Sequence, residues 1–269
     1  MKTQSKGTRM TPAELRKQCE NGSFDRPTAG YCDGYVQANL VALPERYASD
    51  FESFCRKNPK PCPLLEVVGP GTTLTSRLAP EADLVNTLPR YRIWIDGECR
   101  HEVKEISAFY REDLVFFLLG CSFSFEEALI KAGIRLRHVE QKKNVSMYRT
   151  RIPLEPSGPF QGEMVVSMRP IHWSRVADAC IITGRYPDVH GAPVHVGDPD
   201  MIGIRDISSP EYGDPVEILS DEVPVFWACG VTPQNVLLQA KLPFAITHAP
   251  GHMFVGDLKN ELFARGCCR

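Results

Sequence analysis

The chain has 269 residues, with 31 lysines and arginines against 33 aspartates and glutamates, which gives a formal net charge of −2. Its composition, 43% hydrophobic and 24% charged, is typical of a soluble globular protein and argues against a disordered, collagen-like or coiled-coil chain. The near-zero charge provides no general field for a polyanion, so we expect no nucleic-acid partner. No apolar run approaches the roughly 20 residues that a membrane-spanning helix needs, so we expect no membrane partner either.

The N-terminal segment lacks the apolar stretch that a secretory signal requires, which predicts a cytoplasmic protein. In such a protein the ten cysteines are expected to be reduced thiols and not a disulfide framework. No Cys-x-x-Cys pair occurs, and six residues separate Cys55 from Cys62. Because structural zinc sites use closer spacings, the sequence predicts neither a metal nor a cofactor.

The first half of the chain mixes helix and strand signals. Residues 1–10 are expected to form a disordered tail, and Thr11 can cap a helix that begins at Pro12. After a loop, the apolar run 36–43 fits either a buried strand or a helix, since periodicity does not separate the two. The other predictions are a helix over 45–56, a strand over 64–68, and a strand over 91–95 that ends in a hairpin turn at Asp96-Gly97.

The second half begins with two predicted helices, over 111–119 and 125–132, the second with Ser124 and Glu127 as a capping box. Strands are then predicted over 147–152, 164–168, 180–183, 194–196 and 223–228, and a helix opens at Thr232-Pro233. This mixture predicts an α/β fold, in which a mixed β-sheet with helices on its faces is joined by a second, smaller α+β domain. The proposed boundaries are 11–115 with 210–269 for the main domain and 116–209 for the inserted one.

Two predicted turns place a cysteine where a helix begins, Cys121 and Cys229. The free backbone N–H groups of such a turn can bind an anion and lower the pKa of a thiol. Ser122 and Thr232 would then face the ligand, and Glu126 could act as a general acid or base. The alternative is structural: the cysteines pack in the core, and Glu126 stabilises the helix dipole.

Four of the seven histidines lie in two loops that contain proline and glycine: His190, His195, His248 and His252. Histidine suits proton transfer near neutral pH and can also bind metals. Pro250-Gly251 argues against the helix on which a His-x3-His pair binds an ion most readily, which favours proton transfer or binding of the substrate. The alternative is that these rings only hold loop backbone together.

Two arginines, Arg149 and Arg169, lie at or just past predicted strands and could clamp a carboxylate through two hydrogen bonds. Structural ion pairs are the alternative for both. A basic cluster that contains no aromatic residue is interpreted as a solvated face; it consists of Arg135, Arg137, His138, Lys142 and Lys143.

Eight segments, which together extend from about Thr28 to Asp257, closely resemble a hydro-lyase family that includes the D-glutamate cyclase domain. One departure is Ser146, where the family usually has proline. The segments are GYVQANLVALP (34–44), FCRKNPKPCPLLEV (54–67), LLGCSFSFEEAL (118–129), VSMYRT (145–150), VVSMRP (165–170), HGAPVHVGDP (190–199), VPVFWACGVTPQ (223–234) and ITHAPGHMF (246–254).

The resemblance implies a two-domain α/β fold with a mixed sheet and a lyase that acts on a small carboxylate. For the better-described members it implies conversion of D-glutamate to 5-oxo-D-proline with loss of water. A dehydratase of a small hydroxy acid is one alternative, and a carboxylate-binding protein without catalysis is another. The sequence is also compatible with a homodimer.

Cyclisation of glutamate needs a neutral amine, a polarised γ-carboxyl group and an oxygen that leaves as water. Chemistry suggests Arg149 or Arg169 for the α-carboxylate and His248 or His252 for the ammonium proton. The departing oxygen would take its proton from a protonated Glu126 or from a second histidine. Backbone N–H groups from Gly230 to Thr232 could stabilise the oxyanion, and attack by Cys229 on the γ-carboxyl group is the less favoured route.

Overall fold

The computed structural model describes residues 10–265, so nearly all of the predicted tail and the Cys267–Cys268 pair lie outside the described residues. The α-helices are α1 (Pro12–Glu20), α2 (Glu45–Lys57), α3 (Phe123–Lys131), α4 (Arg137–Glu140), α5 (Val176–Gly184) and α6 (Thr232–Ala240). The strands are β1 (Tyr35–Pro44), β2 (Leu64–Val68), β3 (Tyr91–Ile95), β4 (Glu98–Val103), β5 (Leu114–Gly120), β6 (Ser146–Pro153), β7 (Glu163–His172), β8 (His195–Val196), β9 (Glu222–Ala228), β10 (Ala245–His248) and β11 (Phe254–Lys259).

The larger sheet has seven strands, and its central strand is β1. Six strands follow the order β2-β5-β1-β10-β3-β4, and β11 also pairs with β1. One edge of β1 pairs with β5, whereas the other edge pairs with β11 near its N-terminal end and with β10 near its C-terminal end. Because β10 and β11 share that edge, the turn 249–253 between them lies beside the middle of β1.

The smaller sheet has four strands in the order β6-β7-β9-β8. The α/β class is confirmed, since helices pack against the strands of both sheets. Every strand pair among residues 10–265 is antiparallel, so the strand directions are more uniform than in the mixed sheet that we expected.

Two large hydrophobic clusters each draw residues from both sheets. The first includes Val36 from the larger sheet and Trp227 from the smaller one. The second is centred on aromatic rings, with Phe51 of α2 packed edge-on against Phe117 (4.9 Å between ring centroids) and Phe160 (5.1 Å). The division into domains at 116–209 stays a prediction, although β9, which completes the smaller sheet, lies outside that range.

Turn and cap chemistry predicted several elements correctly. Thr11 and Glu14 form a capping box at the start of α1. The hairpin between β3 and β4 turns at Asp96 and Gly97, both with positive φ, as an Asp-Gly turn requires. The eight cysteines among the described residues are free thiols, as expected.

Three local predictions are wrong. The segment 111–119 belongs mostly to strand β5, which is buried on both faces and therefore shows no alternation of polar and apolar residues. The segment 180–183 lies in helix α5, where Ala179 and Thr183, one helical turn apart, face the core. Helix α3 begins at Phe123, so Ser124 does not cap it. None of the helices among residues 10–265 is long and apolar enough to cross a membrane.

We predict that Gly120→Ala destabilises the protein by about 1–3 kcal/mol, because a Cβ at this position would collide with the carbonyl oxygen of Asp188 and force a tightly packed loop to move. The matched control is Gly184→Ala at the end of α5, where a Cβ would make only an ordinary contact, 3.7 Å from Ala192. Urea unfolding measures both variants. Equal stabilities would contradict the tight approach of these two segments.

Candidate active site

A fully buried arginine, Arg169, lies at the centre of the candidate site, on β7. Its Nε donates to Glu126 Oε1 at 3.0 Å, and its terminal nitrogens donate to Ser167 Oγ (3.0 Å), to Ser122 Oγ (3.1 Å) and again to Glu126. The rings of Phe125 and Trp227 lie 5.4 and 5.3 Å from the guanidinium carbon. All three nitrogens of the guanidinium therefore have partners within the protein.

Glu126 occupies the first turn of α3, where its carboxylate faces Arg169. Burial would raise its pKa, but the positive charge of Arg169, together with His138, lowers it from 4.5 to about 2. The carboxylate is therefore ionised at neutral pH. The hypothesis that a protonated Glu126 acts as general acid is contradicted by this pairing.

His138 in α4 lies beside Glu126, whereas its basic cluster was expected to form a solvated face. Its ring is buried, and its Nε2 lies 3.2 Å from Glu126 Oε1. Neither of its ring nitrogens forms a hydrogen bond within residues 10–265. Eleven residues lie between it and Glu126 in the sequence, so only the tertiary fold brings the two side chains together.

Glu126 and His138 lie in the wall of a cleft of about 750 Å³. The cleft lies between the segment 27–37, the helix α3, the segment 138–144 and the turn at Pro250-Gly251. Its charged lining consists of three lysines and three carboxylates: Lys131, Lys142, Lys143, Asp33, Glu126 and Glu127. The cleft is large enough for a small organic acid, whose carboxylate would find both cations and a histidine.

The two cysteines at helix starts are not activated. Burial raises the pKa of Cys121 to about 12 and that of Cys229 to about 11. Hydrogen bonds from the backbone N–H groups of Phe123 and Val231 lower the two values, but by less than burial raises them. The prediction of lowered thiol pKa values is therefore wrong. The side chains do lie near Arg169, whose charge acts on both.

Two of the candidate histidines are buried and neutral. Desolvation lowers the pKa of His190 and that of His248 to about 4. His190 donates from Nδ1 to the Lys60 carbonyl (2.7 Å), and its Nε2 is buried without a partner in the described part of the chain. In His248 the Nδ1 accepts from the backbone N–H of Leu40 on β1 (3.2 Å).

The remaining candidate side chains form hydrogen bonds with backbone groups or lie apart from Arg169. The Thr232 hydroxyl accepts from the N–H of Val165 and donates to its carbonyl (3.0 and 3.1 Å). His252 donates to the Pro250 carbonyl (2.9 Å), and His195 donates to that of Asp198 (2.6 Å).

Arg149 is exposed on β6, where it donates to the Tyr212 hydroxyl group at 3.0 Å. The structure thus gathers Cys121, Ser122, Glu126, Cys229 and His190 around Arg169, but places neither Arg149 nor His195 there. No group of three or more His, Cys, Asp or Glu side chains within 10–265 is arranged to hold a metal ion.

We predict that Glu126→Gln costs about 3–5 kcal/mol of stability at pH 7, because it leaves the buried Arg169 charge without a counter-charge. The lowered pKa also sets the pH dependence: the ionised carboxylate stabilises the wild type fully above about pH 4.5, and this contribution is lost as the pH falls toward 2. Urea unfolding at several pH values checks both effects. The control is Glu98→Gln, whose carboxylate is exposed, and a loss as large there would contradict the assignment.

Comparisons with known proteins identify the family of the chain. The family model described as "D-glutamate cyclase" matches residues 115–257, which include Cys121, Glu126, His138 and Arg169. A relative from Stutzerimonas stutzeri (strain A1501), named "Putative hydro-lyase", is 53% identical over 94% of this chain and 95% of its own. A relative of the same name from Rhodopseudomonas palustris (strain TIE-1) is 55% identical over 93% of this chain and 92% of its own. Another, from Bradyrhizobium sp. (strain BTAi1 / ATCC BAA-1182), is 56% identical over 87% of this chain and 86% of its own. The chain belongs to the D-glutamate cyclase family.

Proposed function

We propose that the protein is a hydro-lyase that removes water from a small carboxylate in the cleft beside His138, with the conversion of D-glutamate to 5-oxo-D-proline as its reaction. The observation that carries the proposal is the Glu126–His138 pair, 3.2 Å apart, in the wall of a cleft of about 750 Å³. The names of the family and of the relatives supply the reaction class.

His138 is the group that moves protons in this proposal. It takes a proton from the substrate ammonium and delivers it to the γ-carboxylate, and the neutral amine then attacks the γ-carboxyl carbon to form a tetrahedral intermediate. His138 takes a second proton from the nitrogen of this intermediate and delivers it to the hydroxyl oxygen, the carbon–oxygen bond breaks, and water leaves. Two protons move from the nitrogen to the departing oxygen, and His138 ends the cycle in the state in which it began.

Glu126 is a positioning residue in this scheme. An ionised carboxylate beside the imidazole orients the ring, as the carboxylate of a catalytic triad does. Arg169 keeps that carboxylate ionised and oriented through its hydrogen bonds to Oε1. This assignment replaces the role of general acid that the sequence analysis gave to Glu126, whereas catalytic roles for His248, His252 and Cys229 stay predictions.

We predict that His138→Gln lowers kcat for D-glutamate by about 10²–10⁴-fold, the usual contribution of a general acid–base group. His101→Gln, which changes an exposed histidine on β4, should keep wild-type activity. Chromatography with mass detection would follow the loss of one water and the appearance of 5-oxoproline. The proposed reaction is rejected if the wild type does not convert D-glutamate, and loss of water from a hydroxy acid would then favour the dehydratase.

A further inference from the structure

A small carboxylate in this cleft requires a cation, and neither arginine from the sequence analysis supplies it. The guanidinium of Arg169 is fully buried, and its nitrogens are bonded to Glu126, Ser122 and Ser167. Arg149 is exposed on β6 against Tyr212 and does not line the cleft. The cation must therefore come from another part of the wall.

Three lysines line the cleft, and two of them are already engaged. Lys131 forms an ion pair with Glu127, with 2.9 Å between Nζ and Oε1, and Lys143 donates from Nζ to the Pro215 carbonyl at 2.7 Å. Lys142 is exposed, and its ammonium has no hydrogen bond or ion pair within residues 10–265. A bound anion could therefore pair with Lys142 without breaking an existing contact.

The backbone at Lys142 is a second observation that sets this residue apart. It follows α4 with φ of 54°, in the left-handed region that favours glycine. Its N–H bonds to the Val139 carbonyl (3.2 Å), and the next N–H, that of Lys143, bonds to the His138 carbonyl (2.9 Å). The turn therefore fixes the position of Lys142 relative to His138, even though lysine is a costly residue at this φ.

We propose that Lys142 is the residue that binds the substrate carboxylate and holds it beside His138. The inference rests on the proposed function and extends it, because it identifies the substrate class as an anion that a compact ammonium group recognises. A lysine at this point of the turn supplies the charge that the two arginines do not.

Calorimetric titration with glutarate, a dicarboxylate without the amine and therefore unable to cyclise, tests the binding role. Glutaramide, its uncharged diamide, is the control ligand. We expect Lys142→Gly to weaken glutarate binding about tenfold or more, Lys142→Arg to retain most of it, and glutaramide to bind weakly and equally to all variants.

Lys241→Gly is the matched control variant. Lys241 is also an exposed lysine with positive φ (46°) at the end of a helix, α6, but it does not line the cleft. Glycine relieves the same backbone strain at both positions, so neither variant should lower the midpoint of thermal unfolding. A change in glutarate affinity in Lys142→Gly alone would then come from the lost charge and not from loss of folding.

The outcomes separate this inference from the proposed reaction. If the wild type does not bind glutarate, or if Lys142→Gly binds it as tightly as the wild type, the inference is overturned. Glutarate binding that depends on Lys142 in a protein that fails to convert D-glutamate would reject the reaction and keep the binding site. If both hold, Lys142→Gly should raise KM for D-glutamate more than it lowers kcat.

Discussion

The buried ion pair between Arg169 and Glu126 is the interaction on which the rest of the site depends. A guanidinium with no exposed surface is tolerated only where charge and hydrogen bonds compensate for lost water. Two of its partners, Ser122 and Glu126, lie where β5 ends and α3 begins, whereas Ser167 lies on its own strand, β7. Because β5 belongs to the larger sheet and β7 to the smaller one, this single side chain connects the two sheets.

The pair also determines which groups are charged near the cleft. With the pKa of Glu126 held at about 2, its carboxylate is a permanent anion beside His138. A charged neighbour of this kind can orient the ring of a histidine. The interaction that joins the sheets thus also places an anion beside the ring of His138.

The sequence predicted elements well where local chemistry specifies them, as in the Asp96-Gly97 hairpin and the Thr11 cap. It did not predict strand β5, since a strand covered on both faces carries no periodicity that separates it from a buried helix. The same distinction between local and tertiary information applies to the candidate site. The turn at Cys121 and the nearby Glu126 were found from local patterns, but His138 belongs to a basic segment, and its partner lies on another helix.

Residue type and position at a turn were not sufficient to predict the protonation chemistry of the candidate cysteines and histidines. A helix start lowers the pKa of a thiol only where its effect on the thiolate exceeds the cost of burial. At Cys121 and Cys229 burial has the larger effect and raises the pKa of both thiols. The same desolvation lowers the pKa of His190 and His248 to about 4, which makes both rings weak bases at neutral pH. Burial thus weakens these four groups chemically, and none of them lines the cleft. His138 is buried as well, but it lies in the cleft wall beside an ionised carboxylate, and this position is the physical reason for proposing proton transfer there.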